Sequence, residues 1–324
     1  MPLSTLPNID SAFAWIALFI FVTAALGGDF MALRQQGNRV MGFKDALRWS
    51  LAWIALALVF CAGLWFALDL TDGRVMANVK AGEFLTGYLI EKSLSVDNLF
   101  VFLMLFNTFK VPLPQQKKAL MLGIIAAIVL RIALILVGAW LISRFSWVMY
   151  LFGIFLLYTG VKMVIADEEE PDLQNNGLLK WMNKHLTITH EYHGSALSFI
   201  KDGARVFTPL FAVVALIGVT DVMFAVDSIP AIFAVTTDPY IVMSSNIFAV
   251  LGLRALYFML AGMAERFHLL KFGLAAILVF IGAKMLMMDF YHIPVGASLT
   301  IVLAFLLVTM AASLYIKPKH PGQH

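Results

Sequence analysis

Residues 83–106 read EFLTGYLIEKSLSVDNLFVFLMLF. The run is long enough to cross a bilayer as a helix, for which about 20 apolar residues suffice. Near its middle stand Glu91, Lys92 and Asp97. An ionised side chain at that depth costs at least about 2.5–3.5 kcal/mol on insertion scales, so it is kept where it has a partner or a task. A second stretch repeats the arrangement: Asp221-Val222-Met223-Phe224-Ala225-Val226-Asp227-Ser228. In each, two acids lie six residues apart, Val precedes the second acid, and a small polar residue, Asn98 or Ser228, follows it. The rest of the chain reads as a frame that holds these two stretches face to face.

The composition agrees with a lipid setting. Of 324 residues 61% are hydrophobic and 13% charged, against about 25% charged in a soluble domain. A single cysteine, Cys61, excludes a disulfide framework and Cys-rich zinc sites. A net charge of +3 gives no reason to expect a nucleic-acid partner. The first apolar run follows MPLSTLPNIDS, which lacks a basic segment, so a cleaved signal peptide is not expected.

Nine apolar runs are read as spans: 12–33, 46–68, 83–106, 119–142, 146–166, 206–233, 245–264, 268–288 and 294–316. They are apolar all round and do not alternate, so helices are expected, not barrel strands. Loops after odd-numbered spans carry most of the Lys and Arg, including Arg34, Arg39, Lys44, Lys110, Lys117, Lys118, Lys180, Lys184 and Arg266. Those after even-numbered spans carry only Arg74, Lys80 and Arg144. This asymmetry places the N-terminus outside and the C-terminus in the cytoplasm. The segment 167–205 then forms a cytoplasmic loop. It opens with DEEEPD, has an amphipathic stretch at 177–186, and reads as a hairpin over 196–207 with Asp202-Gly203 at its turn. His190, Glu191 and His193 within it are read as solvated loop polarity in preference to a metal site.

The repetition extends past the acids. Arg131 and Arg254 lie mid-span, Arg144-Phe145 answers Arg266-Phe267, and Gly160-Val161-Lys162-Met163 answers Gly282-Ala283-Lys284-Met285. Residues 83–166 and 206–288 are therefore read as two copies of a three-span unit. Three is odd, so adjacent copies are inverted in the membrane, the plan of many secondary transporters, whose sites lie at the midplane between repeats. The fold class is thus all-α and polytopic, with about nine transmembrane helices and two inverted three-helix repeats.

On a regular helix, residues six apart stand about 9 Å apart along the axis and about 120° around it, so the two acids of one stretch cannot both face one small ion. Either each helix gives one acid to a shared site and pairs the other, or the helix is broken between them. Pro230 favours a break in the second copy. Glu91, Asp97, Asn98, Asp221, Asp227 and Ser228 supply oxygen donors, which suit manganese, magnesium or calcium better than copper or zinc. Protons would fill the empty site, giving metal/proton exchange. Lys92, Arg131 and Arg254 need partners, so some of the acids are expected to serve in structural ion pairs, while Lys162 and Lys284 lie near span ends and snorkel. Asp29 is either a further ligand or the end of the first span. Trp49, Trp65, Trp140 and Trp147 read as interface anchors.

The stretches TGYLIEKSLSVDNLFVFLMLF and TDVMFAVDSIPAIFAVTTDPYIVMSSNIFAVLGLRALYF, with GVKM and FIGAKMLMMDFYHIP, closely resemble the signature regions of the TerC family, in particular its Alx-like branch. The resemblance runs through most of residues 46–294, and less clearly through the first span and the cytoplasmic loop. It implies a LysE-superfamily-like exporter of divalent manganese in the bacterial inner membrane. The acidic positions carried over are Glu91, Asp97, Asp221 and Asp227. Manganese is then the transported substrate; no cofactor and no enzymatic activity are expected, and the partners are the cation and the bilayer. Two other classes stand beside this one. An intramembrane aspartyl protease lacks its GxGD motif here, since Ala225-Val226 precede Asp227. A non-transporting stress-response partner would act through the loop 167–205.

Overall fold

The computed structural model describes residues 12–36, 41–165, 177–189, 191–201, 203–261, 269–291 and 293–315. Among them run eleven helices and one hairpin: α1 Ala12–Gln36, α2 Phe43–Thr71, α3 Arg74–Thr108, α4 Leu113–Arg144, α5 Val148–Ile165, α6 Gly177–His185, β1 Ser198–Lys201, β2 Ala204–Phe207, α7 Pro209–Phe233, α8 Pro239–Val250, α9 Leu253–Leu260, α10 Leu270–Leu286 and α11 Val295–Tyr315. Six helices are long and apolar enough to cross a membrane, seven if the bent pair α8–α9 is one span. The expected count of nine goes beyond this. Of the helices at expected spans, the two outside it are α3, which is interrupted by ionisable residues, and α10, which has 17 residues.

Helix α3 is the axis of the molecule. Its 35 residues make a rod about 52 Å long, against a hydrocarbon core of about 30 Å. It packs against α2, α7, α8 and α11. Phe84 on α3, Phe60 on α2 and Phe248 on α8 form an aromatic knot at its N-terminal half. Phe21 of the peripheral α1 stacks on Phe248.

Where the chain breaks differs from the expectation. Helix α7 runs unbroken through Pro230. That proline removes one N–H and costs the carbonyl four residues earlier its partner, but it lies in the last turn, where little helix remains to be lost. The break comes instead between α8 and α9, which meet at 41°. Leu251 is extended and Gly252 has φ +83. A side chain at Gly252 would also strike Trp53, whose ring atoms would lie 2.7 Å from its Cβ, so glycine is required on both counts. The span begins at Pro239, six residues earlier than expected. The Asp238 side chain caps it, accepting from the Tyr240 and Ile241 amides at 3.0 and 3.4 Å.

Helices α5 and α10 pack closely along each other. A Cβ on Gly160 would stand 2.9 Å from the Ala275 carbonyl, and one on Gly282 2.8 Å from the Gly153 carbonyl. In the register that aligns Arg144 with Arg266 and Lys162 with Lys284, Gly153 aligns with Ala275 and Gly160 with Gly282. The contact is therefore reciprocal between corresponding positions of the two sequence repeats.

The segment after α6 folds as the expected hairpin, with Lys201 opposite Ala204 and Gly203 at φ +79; Asp202, DEEEPD and His190 lie outside the described residues. It docks on the end of the bundle, where the Tyr192 hydroxyl donates to the Phe109 carbonyl at 2.8 Å and Lys118 to the Ser195 carbonyl at 2.6 Å. Burial pushes the Tyr192 phenol up to about 12, so it remains a donor at neutral pH. His193 packs against the Phe199 ring.

Candidate functional site

Glu91, midway along α3, is fully buried. So is Asp221, midway along α7. The two meet on Arg131 of α4. Its Nη1 donates to Glu91 Oε1, while Nε and Nη2 grip both oxygens of Asp221 at 3.0 Å each. Asn246 of α8 closes the ring, with Nδ2 donating to Glu91 Oε2 and Oδ1 accepting from Arg131 Nη1, both at 3.2 Å. Ser95 donates to Glu91 at 3.4 Å. The planar guanidinium holds both oxygens of Asp221 with two parallel bonds and Glu91 with a third, a rigid fork that an ammonium lacks. Four helices thus meet at a buried centre, α3 giving Glu91 and Ser95, and α4, α7 and α8 giving Arg131, Asp221 and Asn246, with two acids on one cation.

The remaining candidate residues lie elsewhere. Asp97 is on α3, and its side chain lies outside the described residues. Asp227 is half-buried and faces α5, within reach of the Thr159 hydroxyl and near the Lys162 ammonium. It does not join the Arg131 centre, as the angular spacing on a regular helix requires. Asn98 and Ser228 are buried, and the Ser228 hydroxyl has no hydrogen-bond partner among the described residues. Lys92 donates to the Ala249 and Leu251 carbonyls at 3.1 and 3.3 Å. These are carbonyls freed by the α8–α9 break, so the cation serves a helix C-terminus and not a carboxylate. Arg254 donates to Asp29 on α1 at 2.6 Å, and α1 continues past Asp29 to Gln36. The equivalent arginines of the two repeats therefore hold different partners. Among the described residues no three His, Cys, Asp or Glu side chains gather as a metal cluster.

Sequence reasoning passed over two features. Asn246 is one, although an amide in the interior of an apolar span carries the same signal as a buried charge. The other is a cavity of about 790 Å³ at the ends of α3, α7, α10 and α11, lined among others by Lys80, Glu83, Ala234, Thr236 and Lys284. There Lys80 bridges Glu83 at 3.1 Å and Asp238 at 2.9 Å, and Thr236 donates to Glu83 at 2.7 Å.

Residues 76–320 match the model of a family described as "Integral membrane protein TerC family". A protein of Escherichia coli strain K12 named "Putative membrane-bound redox modulator Alx" is 49% identical over 316 residues, covering 98% of each chain. The protein of that name from Photorhabdus laumondii is 47% identical over 309 residues, 95% of this chain and 97% of its own. An uncharacterized membrane protein of Myxococcus xanthus, STKORF319, is 42% identical over 318 residues, 98% of this chain and 97% of its own. No solved structure matches the chain.

Proposed function

This chain belongs to the TerC family of integral membrane proteins, and from that premise we propose that it exports divalent manganese across the bacterial inner membrane, through a path built between two inverted three-helix repeats. The observation that carries the reading is the convergence of Glu91 and Asp221. They hold equivalent places in the two repeated stretches, and they meet on one buried guanidinium. Sites of inverted-repeat transporters lie near the midplane at the repeat interface, and buried acids within spans mark ion paths. Carboxylate and amide oxygens suit a hard divalent ion.

The reciprocal glycine contact between α5 and α10 supports the inverted repeat. Nine spans follow if α3 and α10 also cross, and the loop charges then orient the N-terminus outside and the C-terminus in the cytoplasm. Arg131 occupies the place between the acids, and the three side chains together carry one net negative charge. A divalent cation taking that place leaves one net positive charge if Arg131 stays close, so Arg131 must turn aside or the acids must draw closer to the ion. Asp227, half-buried beside α5, supplies a further carboxylate.

The relatives' name points to redox modulation. This chain has one cysteine, Cys61, buried on α2 with its thiol directed at the Ala81 carbonyl. One cysteine cannot form a disulfide within the chain, so a redox effect here is read as a consequence of manganese level. The deciding experiment is cellular manganese content, with zinc measured alongside, in cells with and without the protein. Lower manganese at unchanged zinc is expected. Equal manganese in both strains overturns the reading and leaves the stress-response partner acting through 167–205.

A further inference from the structure

The cavity of about 790 Å³ lies where α3 begins, α7 and α10 end, and α11 begins. In the orientation set by the loop charges this is the outer side. Its floor carries Glu83, largely buried and held by Thr236 and Lys80. Eight residues further along α3, about 12 Å deeper, stands Glu91. Between them α3 presents Gly87, and there the helices touch. A Cβ on Gly87 would lie 2.9 Å from Ser245 Oγ and 3.5 Å from Ile232 Cγ2. Glu83, Gly87 and Glu91 are spaced four apart and share one stripe of α3. The facing wall runs Thr236, Ile232 and Ser245, then Asn246 and Asp221. The orphaned hydroxyl of Ser228, buried to 2% exposure, lies seven residues outward from Asp221 on the same face of α7.

We propose that this cavity is the outer half of the ion path, that Glu83 is the first carboxylate a cation meets there, and that one contact, Gly87 against Ser245 and Ile232, closes it off from the Glu91–Arg131–Asp221 centre. The inference rests on the transport reading and adds a route and a gate to it. The gate is thin, one residue deep, because α3 offers a hydrogen atom where any other residue offers a side chain. A divalent cation passes when α3 and α8 part by the width of an ion. Lys80, held between Glu83 and Asp238, offsets one of their two charges.

The test uses the full-length protein in intact cells, with Cys61→Ala as background. Ala234→Cys, on the cavity wall, is expected to react with a membrane-impermeant cationic methanethiosulfonate added outside, and the modification should reduce manganese efflux at least tenfold. Ser95→Cys, inward of Glu91, should stay unreactive without manganese. Gly87→Ala should cut efflux at least tenfold at wild-type abundance, and adding Ser245→Gly should restore it. Absence of manganese efflux from the unmodified protein overturns the transport reading, and the path with it. Efflux that persists after complete modification of Ala234→Cys, or in Gly87→Ala, overturns the path alone, as does labelling of Ser95→Cys from outside without manganese.

Discussion

Two places in this molecule have the same composition and opposite surroundings. At the cavity floor Lys80 lies between Glu83 and Asp238; in the centre Arg131 lies between Glu91 and Asp221. In both, one acid comes from α3 and the other from beyond residue 206. The outer three side chains are 19, 12 and 11% exposed, the inner three 1, 0 and 2%. The outer cation is a flexible ammonium that meets each acid once; the inner is a planar fork that holds one acid with two bonds. A partly solvated pair contributes little and exchanges with ions in solution. A fully buried pair has lost its hydration, and removing one member strands the other. The same three charges therefore make an adjustable entrance in one place and a lock in the other.

Arg131→Gln probes the lock with the largest expected effect. It leaves Glu91 and Asp221 buried together without a cation, which costs about 3–5 kcal/mol. The protein is expected to be depleted from the membrane fraction, as read by immunoblot against wild type. Normal abundance would erase the contrast with the outer cluster. Asp221→Asn comes next. It keeps the shape and one acceptor for Arg131, and the Glu91–Arg131 pair stays neutral. Abundance is expected to hold while manganese efflux falls at least tenfold, about 1.4 kcal/mol in barrier or binding. Efflux that survives Asp221→Asn would leave the centre a scaffold and move the ion site toward Asp227.

The contrast also marks how far the sequence could be read. The ionisable residues of 91–98 and 221–228 were legible because each is costly in lipid. Their partners were not, since spacing along one helix does not say which helix faces it. Arg131 goes to an acid of each repeat, Arg254 goes to Asp29 of the added first helix, and Lys92 goes to backbone carbonyls. That last pairing depends on a helix break at Gly252, one glycine among 22, while the more conspicuous Pro230 sits too near the end of α7 to break it. The Asp238-Pro239 helix start was readable as a cap and was hidden by the apolar run that follows. Glu83 read as the edge of a span because its role depends on Thr236, more than 150 residues away. Charges in lipid are local signals; cavities and clasps are properties of the packing.

Lys80→Met carries the smallest expected effect and sharpens the comparison most. Methionine keeps an unbranched apolar stem, one atom shorter than the lysine side chain, and removes the ammonium with its charge and donors. Glu83 retains the Thr236 hydroxyl, and Asp238 retains the two amides at the start of α8, so neither acid is stranded as Glu91 and Asp221 would be. The expected loss of stability is about 0–1 kcal/mol, within the scatter of a thermal-aggregation measurement on solubilised protein. The expected change lies in ion occupancy. Without the ammonium the two carboxylates at the cavity floor carry two negative charges in place of a net one, and cations concentrate there. Manganese added outside should then inhibit efflux at a concentration a few-fold lower than in wild type, with the maximal rate little changed, and high salt should narrow the difference by screening the exposed charges. If Lys80→Met instead depletes the protein as Arg131→Gln does, the outer cluster is a second lock. The cavity above it is then a dent in the surface and not an entrance.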